Sequence, residues 1–328
     1  MSLHNNRRSM ERFYIMTNNL EKTLFRDPKE WLKSLWKFSR PHTIMGTTLS
    51  VFALYFITLA IYRVAINETT LVPLFSAWIA CLAGNVYIVG LNQLEDVSID
   101  QINKPTLPIA AGEFSLRQAR WIVGVTGILA IIISFVTSQW LFLTVAVSLT
   151  IGTAYSLPPI RLKRFPFWAA LCIFTVRGVI VNLGLFLHFS QTLTQQELIP
   201  PAIWALTLFI LIFTIAIALF KDVPDLEGDK KYNITTFTVL LGKATVLNIT
   251  RMIISVCYFG IIVAAWRWLP DVNPIFVGMT HGGLLLLLWW RSQNVDLENK
   301  SAIAQFYQFI WKLFFLEYLL FPIGCFLA

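Results

Sequence analysis

Two groups of acidic side chains stand out in a chain of which only 13% of residues are charged. The first contains Asp96 and Asp100, preceded by Asn92, and the second contains Asp225 and Asp229. Within each group the members are spaced by four residues, which places them on one side of a helix. Because like charges at this spacing repel each other, the arrangement indicates a cation between the carboxylates. Mg²⁺ binds few carboxylates together with phosphate oxygens and water, so the groups predict metal ions that hold a diphosphate.

Basic side chains accompany these aspartates and are candidates to bind the diphosphate oxygens. Lys163 and Arg164 follow a segment that begins at Tyr155 and contains a Pro-Pro turn, and Tyr155 is itself a candidate for substrate binding. Lys221 stands one turn before Asp225. Arginine suits bidentate contacts with phosphate, but each of these cations is equally well explained as ordinary charge beside a membrane span.

Further polar candidates lie inside or at the edge of apolar segments. Arg177 stands in the middle of one segment and is followed by Asn182. A charge at such a position usually marks a functional cavity, and a structural hydrogen-bonded pair is the alternative. Arg40 begins the first apolar segment, where it either binds an anionic substrate or anchors the segment at the membrane interface.

The elements that must position these residues are long apolar segments. Hydrophobic residues make up 56% of the 328 positions, far above the share in soluble domains. Since a helix needs about 20 apolar residues to cross a bilayer, the pattern predicts an all-α polytopic membrane protein. Residues 1–26 form a polar tail, and residues 27–328 are predicted to form a single transmembrane domain. The nine predicted spans cover residues 43–64, 73–93, 120–138, 140–157, 167–188, 200–220, 249–267, 273–290 and 307–327.

The distribution of Lys and Arg predicts the orientation of these spans. Of the 26 such residues, 23 lie in the N-terminal region or in loops after even-numbered spans, and two lie on the opposite side. This asymmetry places the N-terminus in the cytoplasm, or in the stroma of a plastid. Because both acidic groups follow even-numbered spans, they share that face and can converge. The net charge of +8 is therefore a topology signal, and neither a nucleic acid nor an obligate protein partner is indicated.

A short amphipathic helix is predicted before the first span. Asp27 and Pro28 are typical of an N-cap followed by the first helical position. Trp31, Leu35 and Phe38 then fall on one face, and lysines fall on another. This pattern indicates a helix that lies on the membrane surface.

At the acidic groups the chain resembles the UbiA superfamily of intramembrane prenyltransferases. Asn92, Asp96 and Asp100 match the NxxxDxxxD motif that follows the second helix of that family. Asp225 and Asp229 match its DxxxD motif, which follows the sixth helix. Longer strings are similar to the homogentisate phytyltransferase branch and its cyanobacterial members, and these lie at residues 92–112, 152–159, 177–184, 221–229 and 304–318.

The resemblance implies a nine-helix, UbiA-like bundle and a Mg²⁺-dependent prenyl transfer. The four aspartates would be the catalytic metal ligands, with Asn92 as a polar partner in substrate binding. The donor would be phytyl diphosphate and the acceptor homogentisate, whose carboxylate Arg40 or Arg177 would orient. The product would be 2-methyl-6-phytylbenzoquinol, formed with loss of CO₂ on the route to tocopherol (vitamin E).

Alternatives within and outside this family stay open from the sequence. Homogentisate solanesyltransferase, chlorophyll synthase and quinone prenyltransferases differ in the donor or the acceptor. A transporter that couples to cations through buried carboxylates is an alternative of another class. The resemblance also implies the plasma or thylakoid membrane of a photosynthetic bacterium, with membrane lipid as the surrounding partner.

Overall fold

The computed structural model describes residues 28–224, 226 and 236–328, and every regular element within these ranges is helical. The helices begin with α1 (Pro28–Phe38), α2 (Pro41–Tyr62), α3 (Glu68–Glu95), α4 (Val97–Asn103), α5 (Leu116–Thr137) and α6 (Gln139–Ser156). A 3₁₀ turn at Leu162–Arg164 follows, and then α7 (Pro166–Ile173), a π-helix (Phe174–Ile180) and α8 (Val181–Thr194) run on without a break. The chain continues with α9 (Pro201–Phe220), α10 (Phe237–Leu241), α11 (Lys243–Arg267), α12 (Pro274–Gln293) and α13 (Lys300–Phe326).

Seven of the described helical segments are long and apolar enough to cross a membrane: α2, α3, α5, the continuous segment Phe167–Thr194, α9, α11 and α13. The chain is therefore a multi-pass, all-helical membrane protein, as the composition predicts. The remaining predicted spans, 140–157 and 273–290, form the helices α6 and α12, which are not among these seven.

Local sequence signals explain several of the helix ends. The predicted turn between the third and fourth spans is confirmed, because Ser138 ends α5 and its side chain caps α6 by accepting from the N–H of Leu141. Ser115 and Gln118 form a capping box at the start of α5. Asn273 caps α12, where proline occupies the first helical position, so these boundaries follow from short-range chemistry.

The chain forms two compact units. The first contains residues within Met1–Thr48 and Phe75–Ala169, and the second contains residues within Leu49–Leu74 and Ala170–Ala328. The predicted grouping of residues 27–328 in a single domain stays a prediction.

In the first unit, α1 packs on the protein through the face that holds Trp31, Leu35 and Phe38. Phe38 is fully buried, and its ring centroid lies 5.6 Å from that of Phe114. Gly90 lets the Phe38 ring pack closely against α3, because a Cβ at that position would lie 2.7 Å from the ring. The predicted helix is therefore confirmed, and its apolar face packs on the protein, while its position on the membrane surface stays a prediction. An apolar stripe shows that a face is covered but does not show whether lipid or protein covers it.

Candidate active site

The first acidic group lies where α3 ends and α4 begins. Asp96 separates the two helices with φ −111° and ψ 17°, so the continuous helix expected here is interrupted at this residue. Helical hydrogen-bond spacing nevertheless runs through the break. The N–H of Asp96 donates to the carbonyl of Asn92 (3.1 Å), and the N–H of Asp100 donates to the carbonyl of Asp96 (2.7 Å). The predicted spacing of Asn92, Asp96 and Asp100 along one helical path is therefore preserved.

Both carboxylate oxygens of Asp96 are held by cations from the segment after α6. The Arg161 guanidinium donates to Oδ1 at 2.9 Å, and the Lys163 ammonium donates to Oδ2 at 2.7 Å. These three side chains are between 12% and 18% exposed, so salt screens the pairs only weakly. Arg161 has a left-handed backbone with φ 39°, which costs a residue other than glycine about 1 kcal/mol. Arg164, the neighbouring candidate, is exposed.

Asp100 is buried, and its Oδ2 atom has no hydrogen-bond partner among the described residues. Burial raises the pKa of the Asp100 carboxyl above its ordinary value, while Lys104 and Arg40 lower it. A buried carboxylate oxygen without a donor is costly unless a cation satisfies it. Carboxylate oxygen is the ligand type that Mg²⁺ prefers, so this atom fits a metal ion better than any other in the described motif.

Arg40 lies in the link between α1 and α2 and faces the same motif. Its guanidinium donates to Oδ1 of Asn92 at 3.2 Å, and its backbone is left-handed with φ 53°. Burial lowers the pKa of Arg40, while its interactions with Asp100 and Tyr155 raise it. The structure thus brings the predicted candidates Arg40, Asn92 and Tyr155 to the first acidic group.

Helix α1 fixes the position of this link. The Gln93 amide, on α3, donates to the carbonyl of Phe38 at 2.8 Å. Ser34 and Lys37 donate to the two carboxylate oxygens of Glu113 at 2.7 Å and 2.6 Å. Because Glu113 belongs to the segment that follows α4, α1 is attached to the chain on both sides of the acidic motif.

The second acidic group follows α9. This helix ends at Phe220, before Pro224, as expected for a residue that lacks an N–H donor. Lys221 is exposed, and its ammonium lies 3.5 Å from the carboxylate of the next residue. Asp225 and Asp229 lie outside the described residues, so their role as metal ligands and their convergence with the first group stay predictions. No group of three or more potential His, Cys, Asp or Glu ligands is found in the part of the chain that the structure describes.

Arg177 is carried by the π-helix in the middle of a membrane span. Its guanidinium carbon lies 5.3 Å from the ring centroid of Trp311 and 6.0 Å from that of Phe314. Gly178 allows close packing beside it, because a Cβ there would lie 2.9 Å from Cδ1 of Leu211. The sequence predicts the buried charge but not the π-helix, a distortion that occurs frequently at functional sites.

Asn182 is fully buried, and both the nitrogen and the oxygen of its side-chain amide form hydrogen bonds within the second unit. Its Nδ2 donates to the carbonyls of Gly178 (2.8 Å) and Arg177 (3.3 Å). Its Oδ1 accepts from the hydroxyl of Tyr318 at 3.0 Å. Asn182 therefore connects the π-helix to α13, and its predicted contact with substrate stays a prediction.

Some buried or half-buried polar residues are absent from the sequence-based set. His281 Nε2 lies 3.0 Å from Glu317 Oε2, and both side chains are fully buried in the second unit. Within the described residues, Glu317 Oε1 and the Tyr258 hydroxyl have no hydrogen-bond partner. The sequence could have identified Glu317 in the same way as Arg177, because each is a charged residue inside an apolar segment. Arg161, which holds Asp96, is also absent from that set, although it stands beside the chosen cations.

The chain is similar to known membrane enzymes over most of its length. Residues 49–313 match the UbiA prenyltransferase family. A homogentisate phytyltransferase from Synechocystis sp. is 55% identical over 298 residues, which cover 90% of this chain and 96% of that protein. Homogentisate phytyltransferase 1 from Arabidopsis thaliana is 40% identical over 315 residues, which cover 93% of this chain and 78% of that protein.

A solved structure shares the helical fold. It is a UbiA homologue from Archaeoglobus fulgidus bound to GPP and Mg²⁺, with a TM-score of 0.56 and 17% sequence identity. The similarity covers 90% of this chain and 100% of that chain. At this level of identity the likeness concerns the fold alone, and it confirms the UbiA-like fold that the sequence resemblance implies.

Proposed function

Because the chain belongs to the UbiA prenyltransferase family, we propose that it is a homogentisate phytyltransferase. The reaction transfers a phytyl group from phytyl diphosphate to homogentisate with loss of CO₂, and yields 2-methyl-6-phytylbenzoquinol for tocopherol synthesis. The observation that carries this choice is the 55% identity to the Synechocystis enzyme, which extends over 96% of that protein.

The first acidic group supports the handling of a diphosphate. Asp96 and Asp100 are four residues apart along one helical path, and Asp100 Oδ2 is buried without a donor among the described residues. Asp225 and Asp229 would complete the ligand set for Mg²⁺, with Asn92 as a polar partner. When bound, Mg²⁺ would neutralise the negative charge that grows on the departing diphosphate.

The basic residues around Asp96 support the departure of that group. Arg161 and Lys163 are already partly desolvated and fixed by the carboxylate, so they need little reorganisation to act on a nearby anion. Arg164 and Lys221 are exposed and would bind further diphosphate oxygens. The allylic C–O bond breaks, the electron-rich ring of the acceptor attacks the allylic carbon, and the attacked ring carbon releases its proton. Loss of CO₂ breaks the bond between the carboxylate and the side-chain CH₂, which takes up a proton and becomes the methyl group of the product. The hydrocarbon interior excludes water, which would otherwise trap the cation as an alcohol.

The proposed topology has nine membrane-spanning helices. Helices α6 and α12 would add to the seven segments that meet the length and composition requirement. The excess of Lys and Arg on one side would place the N-terminus and both acidic groups at the cytoplasmic face. The protein would occupy the plasma or thylakoid membrane of a photosynthetic bacterium.

A product assay tests the proposed function and its alternatives. Purified protein in lipid nanodiscs receives homogentisate and one of three donors: phytyl, geranylgeranyl or solanesyl diphosphate. Mass spectrometry should identify phytylated product as the main species, with the highest kcat/KM for phytyl diphosphate. Product formation should stop in EDTA and return with added Mg²⁺. A preference for another donor would assign a different member of the family, and activity unchanged by EDTA would contradict the metal role.

A further inference from the structure

Arg177 is a charge inside a membrane span, and its neighbours among the described residues include no anionic partner. Among the described residues, no carboxylate lies within 4.0 Å of its guanidinium, and no side chain or carbonyl accepts a hydrogen bond from it. Its contacts are the aromatic rings of Trp311 and Phe314. Rings offset part of the cost of a buried cation, but they leave the five N–H donors of the guanidinium unused. Arginine at this depth usually marks a binding cavity.

The protein positions this arginine through several contacts. The π-helix changes the direction of the side chain relative to an α-helix, and Asn182 holds it by donating to the carbonyls of Arg177 and Gly178. The Tyr318 hydroxyl fixes Asn182 in turn. Asn182 and Tyr318 are both buried. Arg177 is half-buried, so part of its side chain stays accessible while its backbone is held in place.

The depth of Arg177 separates it from the diphosphate-binding end of the second unit. Gly178 packs against Leu211 on α9, and Asp222 at the second acidic group follows eleven residues later. Trp311 likewise follows the start of α13 at Lys300 by eleven residues. Eleven residues of helix extend about 16 Å. Helices α9 and α13 therefore both place Arg177 about 16 Å from this end of the second unit.

We propose that Arg177 binds the carboxylate of the aromatic acceptor, an inference that rests on the proposed function. The reaction has two anionic substrates, a diphosphate and a carboxylate. Arg161 and Lys163 lie with the aspartates at the end of a span, where a diphosphate binds. Arg40 is already bonded to Asn92 in that motif. Arg177 lies in the interior of a described span, beside rings that suit an aromatic substrate.

The substitution Arg177→Gln tests this assignment by comparing two acceptors. One is homogentisate, and the other is its neutral amide, 2,5-dihydroxyphenylacetamide, which keeps the ring and removes the charge. In the parent protein, the KM of homogentisate should be about 10- to 100-fold lower than the KM or inhibition constant of the amide. In Arg177→Gln that ratio should fall to within about threefold. The KM of phytyl diphosphate should change less than twofold.

Two further variants separate a binding role from a structural one. Arg177→Lys keeps the charge without the planar fork and should retain part of the preference for the acid. Arg251→Gln removes another arginine stacked on an aromatic ring, 4.5 Å from the centroid of Trp289, and should leave the preference unchanged. If Arg177→Gln does not fold, the acid-to-amide ratio of the parent protein and of Arg177→Lys still decides the question.

Three results would overturn the proposal. They are equal use of acid and amide by the parent protein, an unchanged ratio in Arg177→Gln, and a rise in the KM of phytyl diphosphate that exceeds the rise for homogentisate. Failure of the parent protein to prenylate homogentisate would instead contradict the proposed function. In that case the binding of homogentisate and of the amide to the parent protein and to Arg177→Gln, measured by calorimetry, tests the carboxylate site separately.

Discussion

Charge is held in different ways at the end of a span and in its interior. Asp96, between α3 and α4, has a cation on each carboxylate oxygen. Arg177, inside a span, lies on two aromatic rings and has no carboxylate partner among the described residues. His281 and Glu317 show a third arrangement, in which an interior charge is matched by a buried neighbour.

The difference indicates what each group is for. At the span end, several cations and carboxylates share contacts, so an incoming diphosphate and metal can exchange partners with them. In the interior there is little water to replace a lost partner, so the contact between the buried His281 and Glu317 side chains contributes to stability. An interior charge that is left open serves binding instead. Span-end substitutions should therefore change catalysis, whereas substitution of the His281–Glu317 pair should change stability.

The largest effect is expected for Asp100→Asn. The substitution keeps the shape but removes the charge that would hold Mg²⁺, so kcat/KM for phytyl diphosphate should fall roughly 10³-fold. The thermal midpoint should stay within a few degrees, because the carboxylate oxygen Oδ2 has no partner to lose among the described residues. Radiolabelled phytyl transfer measures the rate, and Asp271→Asn, in the loop before α12, is the matched control. Activity within a few-fold of the parent would contradict the metal role.

The next effect, on stability, is expected for Glu317→Leu. It leaves His281 buried without its partner, which should lower the free energy of unfolding by about 3 kcal/mol. Catalysis per folded molecule should change less than twofold. Thermal unfolding in detergent measures the loss, and the double variant with His281→Phe should recover part of it, since an apolar pair has no unmet hydrogen bond. An unchanged thermal midpoint together with a large loss of activity would instead show that the His281–Glu317 pair serves catalysis and not stability.

A smaller effect is expected for the cations on Asp96. Arg161→Gln or Lys163→Gln leaves Asp96 with one partner, so each should raise the KM of phytyl diphosphate about 10-fold. The double variant should lose more than the product of the two single effects, because Asp96 is then unpaired. Steady-state kinetics at several Mg²⁺ concentrations measures this coupling, with the exposed Arg117→Gln as control. Strictly multiplicative effects would show that the two cations act independently.

The smallest effect is expected for Tyr318→Phe. It removes one hydrogen bond to Asn182 and should cost about 1 kcal/mol of stability. If this contact holds the π-helix in place, the KM of homogentisate should rise about threefold while the KM of phytyl diphosphate stays constant. Tyr258→Phe, which removes a buried hydroxyl without a hydrogen-bond partner among the described residues, is the comparison. Equal changes in both KM values would mean that Tyr318 supports the whole unit rather than Arg177.

The spans and the first acidic group follow from short-range features of the sequence. Apolar length predicts the helices, and Ser138 ends one and caps the next through its own hydroxyl. The four-residue spacing of Asp96 and Asp100 survives because hydrogen-bond spacing is continuous across Asp96. Such features depend on neighbours within one or two turns, which a single sequence displays directly.

Other features depend on residues far apart in the chain. The left-handed backbone of Arg161 is set by packing, so its contact with Asp96, 65 residues earlier, has no local signal. The π-helix around Arg177 is likewise stabilised by Tyr318 on a distant helix. The apolar face of α1 packs on Phe114 and its neighbours, a contact that hydrophobic periodicity alone does not identify. The second pair, Asp225 and Asp229, lies outside the described residues.

The unbroken hydrogen-bond spacing from α3 into the acidic motif has a consequence for where the reaction occurs. Asn92 lies within the last turn of a membrane-spanning helix, and Asp96 and Asp100 follow at whole-turn intervals. The distance of these carboxylates from the hydrocarbon core is therefore set by the number of helical residues between them, because each residue adds about 1.5 Å along the helix axis. Lengthening the loops would leave that distance unchanged, whereas one residue inserted in α3 would rotate the motif by about 100°. The bilayer itself thus serves as the reference plane that sets the depth of the diphosphate and the point where the prenyl chain enters the lipid.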